Sequence, residues 1–286
     1  MNIDINEKDS NYMYEIIQSI IDECGPRMPC SPQEAQGAEI IKKELEQVCD
    51  DAELEPFSCS PRAFLGYIKV DIVLVFLSFI SFFLIPLNLF NYWGYVMSFL
   101  SFGLNLIAIL IIWNEFFNYR EFIDPLFKSR NSQNVIGKIY PKEEVKKILI
   151  FSGHHDSALQ FNLLTHLKIG YPIILFLGLG VMFLWLIVSI VILLLTLIGL
   201  FFYEIFFIFV LILFLIGTPA LIGLFFFVSF GNKANKVPGA VDNLSAVAIV
   251  LAIGKYLKNH KEIIPKNTEI RLISFGCEEA GLKGRF

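Results

Sequence analysis

Two long apolar segments separate three polar stretches of the chain. Residues 72–114, 43 in succession, carry no charged side chain, and residues 169–232 carry only Glu204 among 64. One membrane-spanning helix needs about 20 apolar residues, so each segment has room for two. A soluble helix pair would need a polar face, and these segments have none. The pattern predicts two transmembrane α-hairpins: one over 67–117 with helices near 68–87 and 94–116, and one over 169–230 with helices near 171–198 and 205–230.

The polar stretches, 1–66, 118–168 and 231–286, show the mixed helix and strand patterns of an α/β domain. A helix is expected up to Cys24, where Gly25-Pro26 breaks the pattern, and another from the capping box Ser31-Pro32-Gln33-Glu34. Further elements are expected as follows: strands over 134–139 and 147–152, the second one buried; a helix over about 244–259; and a strand over about 269–275.

Composition and charge agree with a membrane protein. Hydrophobic residues make up 55% of the chain, charged residues 17%, and the mean hydropathy is +0.62. The net charge of -4 offers no basic surface for nucleic acid. Neither hairpin turn contains Lys or Arg, and basic residues flank the helix ends, which places all three polar stretches on the cytoplasmic side. The flanking residues are Lys69, Arg120, Lys128, Lys168, Lys233 and Lys236.

Five cysteines are present, Cys24, Cys30, Cys49, Cys59 and Cys277, without the spacing of a metal finger. A disulfide framework would suit a short, secreted, cysteine-dense chain, which this is not. The expectation is therefore free thiols in a reducing compartment.

Three short polar motifs stand at the ends of predicted elements. Gly153-His154-His155-Asp156-Ser157 follows a strand, where a His can bind a metal while an Asp two residues on holds its other nitrogen. Gly239-Ala240-Val241-Asp242-Asn243 precedes a helix, and Cys277-Glu278-Glu279-Ala280-Gly281 follows a strand. Each motif alone also fits a structural histidine, a helix cap or a solvated acidic turn. Their agreement in type and order indicates a metal site.

The three motifs resemble those of the co-catalytic zinc aminopeptidase family, which includes bacterial leucyl aminopeptidase, aminopeptidase Y and relatives of glutamate carboxypeptidase. The resemblance covers the polar stretches, about 170 residues, and neither hairpin. It implies an α/β fold: a partial mixed-sheet zinc-exopeptidase domain with helices on both faces, interrupted by the two transmembrane hairpins. The polar stretches would then be the N-terminal part of that domain, the part with the first metal motif, and the part with the second and third.

The resemblance also implies roles for single residues. His154 would bind one zinc ion, Glu279 a second, and Asp242 would bridge both. Asp156 would orient His154, and Glu278 would act as general base in hydrolysing a peptide bond, with two zinc ions activating water and the substrate carbonyl. His155 would be structural or face the substrate, and His166 and His260 would be surface residues.

Two further ligands of the family, an Asp and then a His, have no counterpart before Phe286. The expectation is therefore an incomplete fragment of a membrane-anchored aminopeptidase, with two protein ligands for each zinc, weak zinc binding and no turnover. The expected partners are a peptide substrate and the lipid bilayer, and the oligomeric state stays open. Alternatives are a non-catalytic, receptor-like binding module on the same fold and a glutaminyl-cyclase-like acyltransferase. A transporter is disfavoured because the spans contain almost no ionisable residue except the peripheral Asp71, Glu115 and Glu204.

Overall fold

The structure is a computed structural model that describes residues 7–89, 91–228 and 237–284. These residues divide into two units: unit 1 within 1–62, 127–160 and 232–286, and unit 2 within 63–126 and 161–231. In chain order the main elements are α1 (Glu7–Cys24), α2 (Pro32–Val48), β1 (Asp51–Cys59), α3 (Ala63–Phe83), α4 (Trp93–Ile112), β2 (Arg130–Ile139), β3 (Lys147–His154), α5 (Asn162–Leu167), α6 (Gly170–Leu197), α7 (Tyr203–Phe225), α8 (Ser245–Asn259) and β4 (Thr268–Phe275).

Unit 1 contains a mixed four-stranded sheet in the order β1-β2-β4-β3. The pairs β1–β2 and β2–β4 are antiparallel, and β3 runs parallel to β4. The predicted fold class, α/β with a partial mixed sheet, is confirmed. Since β3 and β4 are parallel neighbours in register, the residues that follow them lie side by side at the same end of the sheet.

The core of unit 1 forms where three amphipathic helices pack on one face of this sheet. Each helix contributes apolar residues at helical spacing, such as Ile16 and Ile20 of α1 and Ile41 and Leu45 of α2. They pack together with α8 and with side chains of β2 and β4 from a single face. Helices were predicted on both faces, whereas α1, α2 and α8 share one face within the described part of unit 1.

The prediction that β3 is buried was wrong. Ile148, Leu149 and Ile150 are 50%, 43% and 49% exposed. In the described residues β3 is one of the two edge strands of the sheet, and it pairs only with β4. A run of apolar residues is typical of a strand covered on both faces, but the pattern does not specify a strand's position in the sheet.

Unit 2 is helical. α3 contacts α4 and α7, and α6 contacts the same two helices, so the four form a closed bundle. Trp185 is fully buried at its centre and stacks on Phe79, with ring centroids 4.4 Å apart. The predicted fourth span, 205–230, instead begins at Tyr203 and ends at Phe225, and residues 229–230 lie outside the described part.

Polar side chains inside unit 2 join one helix to another. Trp185 Nε1 donates to Ser78 Oγ over 2.7 Å, and Asn105 Nδ2 donates to the carbonyl of Met182 over 3.1 Å. Asp71 and Glu115, the ionisable residues predicted near the ends of the first two spans, are 2% and 1% exposed. Glu115 accepts from the backbone N–H of Ile123, 2.8 Å away.

Five helices in the described residues are long and apolar enough to cross a membrane. Four belong to unit 2: α3, α4, α6 and α7 with their short extensions. The fifth, Ala240–Asn259, contains α8, which buries Val247 and Leu251 in the core of unit 1 and carries Lys255 and Lys258. A helix that serves as the core of a sheet domain is not free to face lipid. Lys233 and Lys236, two of the flanking basic residues, lie outside the described part.

Candidate metal centre

The three predicted motifs meet beyond the carboxyl ends of β3 and β4. His154 is the last residue of β3 and pairs with Phe275, the last residue of β4. Glu278 and Glu279 form a short turn directly after β4, and Asp242 lies in the turn before α8. Three segments that are distant in sequence therefore place their polar side chains together.

His154 is held between carboxylates on both of its ring nitrogens. Nδ1 lies 3.2 Å from Asp156 Oδ1, while Nε2 lies 3.2 Å from Asp242 Oδ1 and 3.4 Å from Glu278 Oε2. Asp156 is fully buried, and its Oδ2 accepts from the backbone N–H of Glu279 over 2.9 Å. Asp156 thus fixes both the imidazole and the turn that follows β4.

Glu279 completes a group with metal-binding geometry. One ligand atom each from His154, Glu278 and Glu279 lies within 4.8 Å of the others. The side chain of Asp242 is 76% exposed and that of Glu278 33%, whereas that of His154 is 8% exposed. The group is therefore anchored in the core on one side and open to solvent on the other, as a site that admits a substrate must be.

The electrostatics of this group favour a bound cation. Burial and the neighbouring carboxylates raise the pKa of Glu279 to about 7, against the opposite effect of His154, and burial also raises the pKa of Glu278. Burial lowers the pKa of His154, but Asp156, Glu278 and Glu279 outweigh it and raise that pKa to about 9. Crowded carboxylates beside an imidazole are the nitrogen and oxygen donors that zinc accepts. The residues present therefore fit a divalent metal ion.

His155 points away from this group, into the core. Its side chain is fully buried, and Nδ1 lies 2.9 Å from Ser274 Oγ. Burial lowers the pKa of His155 to about 4, so the ring is neutral. It belongs to the packing of β3 against β4, which is the structural alternative expected for it. His166 is exposed, and the side chain of His260 is 45% exposed, so both lie at the surface as predicted.

Arg27 is a buried residue that the sequence did not single out. Its guanidinium donates to the carbonyls of His155 over 2.7 Å, Gly25 over 2.8 Å and Pro238 over 2.9 Å. Its backbone N–H donates to Ser157 Oγ over 2.9 Å. Arg27 therefore ties the loop after α1 to two of the three motifs. The only local signal was its position beside the Gly25-Pro26 break.

Glu34 is the second buried residue whose role the sequence did not show. Ser31 Oγ accepts from the N–H of Glu34, which is the expected half of the capping box. The carboxylate of Glu34 accepts from Cys30 N–H over 2.7 Å and from Cys277 N–H over 2.8 Å, instead of returning to Ser31. Burial, followed by the charge of Asp156, raises the pKa of Glu34 to about 8. The helix cap and the loop after β4 are joined through this side chain.

Two glycines allow these loops to approach closely. A Cβ on Gly153 would lie 2.9 Å from the backbone nitrogen of Val247, where α8 begins. Gly239 has φ +63°, and a Cβ there would lie 2.8 Å from the side chain of Ser157 and 2.9 Å from that of Arg27. Both glycines belong to the predicted motifs, and each brings the loop before α8 close to β3.

Comparison with known proteins agrees with the motifs. The model of peptidase family M28 matches residues 228–285, which include Asp242, Glu278 and Glu279. This match agrees with the resemblance of the three motifs to those of co-catalytic zinc aminopeptidases.

None of the curated proteins matches the chain. A solved structure, the aminopeptidase from Aneurinibacillus sp. strain AM-1, is similar with a TM-score of 0.42 and 14% identity, over 96% of this chain and 64% of that one. The chain therefore spans less than two thirds of that aminopeptidase.

Proposed function

We propose that this chain carries the metal centre of a membrane-anchored, zinc-dependent exopeptidase of the aminopeptidase type. The observation that carries the proposal is the position of His154, whose Nε2 lies 3.2 Å from Asp242 and 3.4 Å from Glu278 while Asp156 holds Nδ1. Such an imidazole, oriented by a buried carboxylate and surrounded by others, is typical of a zinc ligand. The M28 match over the second and third motifs supports the same chemistry.

In this proposal His154 and Glu279 would each hold one zinc ion, and Asp242 would contribute a carboxylate oxygen to both. The ions, when bound, supply Lewis-acid polarisation of the scissile carbonyl and of the attacking water. Asp156 keeps a proton on Nδ1 of His154, which leaves Nε2 free to bind metal. Its second oxygen accepts from Glu279 N–H and so positions the acidic turn.

Glu278 is the proposed general base. It takes a proton from the attacking water and returns it to the nitrogen of the leaving amine. A carboxylate is more effective in this role when its pKa lies closer to neutrality, and burial raises the pKa of Glu278 in that direction. Its partial exposure leaves room for a peptide beside it.

The described residues provide two protein ligands for each of two zinc ions, whereas a catalytic zinc usually has three. We therefore expect the 286-residue chain on its own to bind zinc weakly and to show no turnover.

Zinc binding to the purified chain in detergent tests the centre. The variants His154→Ala, Asp242→Asn and Glu279→Gln should each lose zinc from this site in a calorimetric titration. His260→Ala is the matched control, because His260 is exposed and lies beside Glu262. Unchanged zinc binding in His154→Ala would contradict the assignment of the ligands.

A peptide-binding measurement separates the enzyme from the alternatives. With zinc present, a peptide with a free N-terminus should stabilise the chain against heat more than its N-acetylated copy does, and Asp242→Asn should remove the difference. Equal stabilisation without zinc would favour the receptor-like binding module. Cyclisation of an N-terminal glutamine would favour the acyltransferase. Hydrolysis that disappears in Glu278→Gln would confirm the peptidase and contradict only the expected inactivity of this chain.

Membrane anchoring by unit 2, with unit 1 on the cytoplasmic side, is the second part of the proposal. It rests on four long apolar helices whose outward side chains are mostly Leu, Ile and Phe, and on basic residues near their ends. Lys43 is exposed in unit 1, and Asn91 is exposed in the first hairpin turn. In intact cells a membrane-impermeant thiol reagent should label Asn91→Cys and spare Lys43→Cys, relative to the unsubstituted chain. The reverse pattern would place unit 1 outside.

A further inference from the structure

Three of the five cysteines converge on one point in unit 1. Cys30 lies in the loop between α1 and α2, Cys59 ends β1, and Cys277 follows β4. The Sγ atoms are 3.4 Å apart between Cys30 and Cys59, 3.6 Å between Cys30 and Cys277, and 2.9 Å between Cys59 and Cys277. These three residues are called the thiol cluster below.

The thiol cluster is buried and contains no disulfide. Cys277 is 0% exposed and Cys59 is 7% exposed, while Cys30 is partly buried. Phe57 and Ala280 pack against the three sulfurs. Three sulfur atoms within contact distance of one another are more than packing needs, since one small apolar residue would fill each position equally well.

The backbone around the thiol cluster is held by a dedicated side chain. Glu34 is 1% exposed, and its two carboxylate oxygens accept from the N–H groups of Cys30 and Cys277. Ser132 Oγ donates to the same carboxylate over 3.0 Å. Two of the three cysteines therefore owe their positions to one buried acid, so their convergence is supported by hydrogen bonds as well as by packing.

We propose that the thiol cluster binds a thiophilic divalent metal ion, Zn²⁺ in the first instance, through the sulfurs of Cys30, Cys59 and Cys277. Bonds of about 2.3 Å from zinc to sulfur place tetrahedral thiolate ligands about 3.8 Å apart. The observed separations of 2.9–3.6 Å are reached from that arrangement by shifts of under an ångström. Three sulfur ligands leave one tetrahedral position for a ligand from outside the cluster.

A metal ion in the thiol cluster would cross-link three segments that are far apart in the chain. One of them carries Glu278 and Glu279, directly after Cys277, which has φ +57°. The ion would therefore restrain the acidic turn of the proposed peptidase centre from its other side. The donor sets do not overlap, because the candidate ligands at His154 are nitrogen and oxygen only.

Cobalt substitution tests the thiol cluster independently of the peptidase proposal. Co²⁺ bound by thiolates gives an intense sulfur-to-metal charge-transfer absorption in the near ultraviolet, and Co²⁺ bound by His and carboxylates does not. The anaerobically purified full chain in detergent, titrated with CoCl₂, should develop this absorption to one equivalent. No such absorption from the unsubstituted chain would overturn the proposal, whatever the activity of the His154 centre.

Single substitutions locate the ligands. Cys59→Ser and Cys277→Ser should lose the charge-transfer absorption, while Cys24→Ser and Cys49→Ser, at the two cysteines outside the cluster, should keep it. Glu34→Gln leaves all three sulfurs in place and should weaken cobalt binding by roughly tenfold, as loss of a supporting hydrogen bond typically does. Absorption that survives in both Cys59→Ser and Cys277→Ser would contradict the assignment.

A second measurement does not depend on the folding of any variant. X-ray absorption spectra of the zinc-loaded, unsubstituted chain should show sulfur neighbours at about 2.3 Å. A shell of only nitrogen and oxygen would overturn the proposal. So would a Cys59–Cys277 disulfide found by mass spectrometry in protein kept under reducing, anaerobic conditions.

Discussion

Units 1 and 2 both bury polar side chains, but these groups have different tasks. In unit 1 the buried Arg27, Glu34 and Asp156 each bind two or more loops, and all lie near the end of β3 and β4. In unit 2 a residue such as Asn105 makes a single hydrogen bond to a neighbouring helix. Clustered, multiply bonded polar groups therefore mark the candidate site, and isolated ones mark helix packing.

The exposed surface of unit 2 is mainly apolar, whereas that of unit 1 carries charged residues. Exposed residues on the helices of unit 2 are large and apolar, for example Ile187 at 60% and Leu194 at 55% exposure. Unit 1 exposes charged residues on its helices, such as Lys43 and Glu46 of α2. In water the hydrophobic effect assembles a core, whereas between lipid-facing helices association depends on close packing and a few hydrogen bonds. This difference predicts unequal costs for losing a polar group in each unit.

The largest effect is expected at Arg27. Arg27→Met leaves several buried carbonyls without a donor, which should lower the stability of unit 1 by about 3–5 kcal/mol. Hydrogen exchange of unit 1 peptides measures this loss. All three tryptophans, Trp93, Trp113 and Trp185, belong to unit 2, so their fluorescence should report unchanged unfolding of that unit. Arg130→Met, at an exposed arginine of β2, is the control and should change the stability of either unit by under about 0.5 kcal/mol.

In unit 2 the largest effect should come from a buried ring. Trp185→Ala removes a fully buried side chain that stacks on Phe79 and should destabilise the bundle by about 3 kcal/mol through the cavity it leaves. Trp113→Ala is the matched control, because Trp113 is 58% exposed. Equal losses in detergent unfolding would mean that unit 2 does not pack around Trp185.

Metal should stabilise unit 1 alone. Zinc at about ten times its dissociation constant should raise the unfolding free energy of unit 1 by about 1.4 kcal/mol, because it binds the folded state preferentially. Hydrogen exchange should slow in the peptides that contain His154 and Glu279, while the helices of unit 2 should be unaffected. Slower hydrogen exchange throughout unit 2 would contradict the expectation that zinc stabilises unit 1 alone.

The smallest effect is expected for a single interhelical hydrogen bond. Asn105→Leu removes the bond to the Met182 carbonyl and should cost about 0.6 kcal/mol in detergent unfolding. Asn114→Leu is the comparison, since Asn114 is only partly buried and donates to the carbonyl of Leu110, four residues earlier, instead of to another helix of the bundle. A loss at Asn105 as large as that at Arg27 would remove the distinction between the two units.

Much of this architecture could be predicted from local patterns. The spans predicted near 68–87, 94–116 and 171–198 overlap the observed helices α3, α4 and α6, because long apolar runs have few alternatives. The strand before His154 and the helix after Asp242 were likewise expected from periodicity and flanking glycines. The local pattern failed at β3, because hydropathy does not show which neighbour covers a strand.

The motif residues of the candidate site could be predicted from the sequence, but the buried residues that hold the motif loops in place could not. Asp156 and His154 are two residues apart, so their contact follows from local geometry. Arg27 donates to the carbonyl of His155, 128 residues away in the chain. Glu34 accepts from the N–H of Cys277, 243 residues away. Both bonds support the candidate site. A buried arginine and an exposed one look alike in sequence, because burial depends on what packs over them.

By itself, then, the sequence determined the apolar helices, the elements of the α/β unit and the three motifs, since these depend on residues close together in the chain. The tertiary structure alone decided that β3 lies at a sheet edge, that Arg27 and Glu34 join the motif loops, and that Cys30, Cys59 and Cys277 meet. Those facts rest on the pairing of distant segments in one sheet, and no local pattern of side chains encodes that pairing.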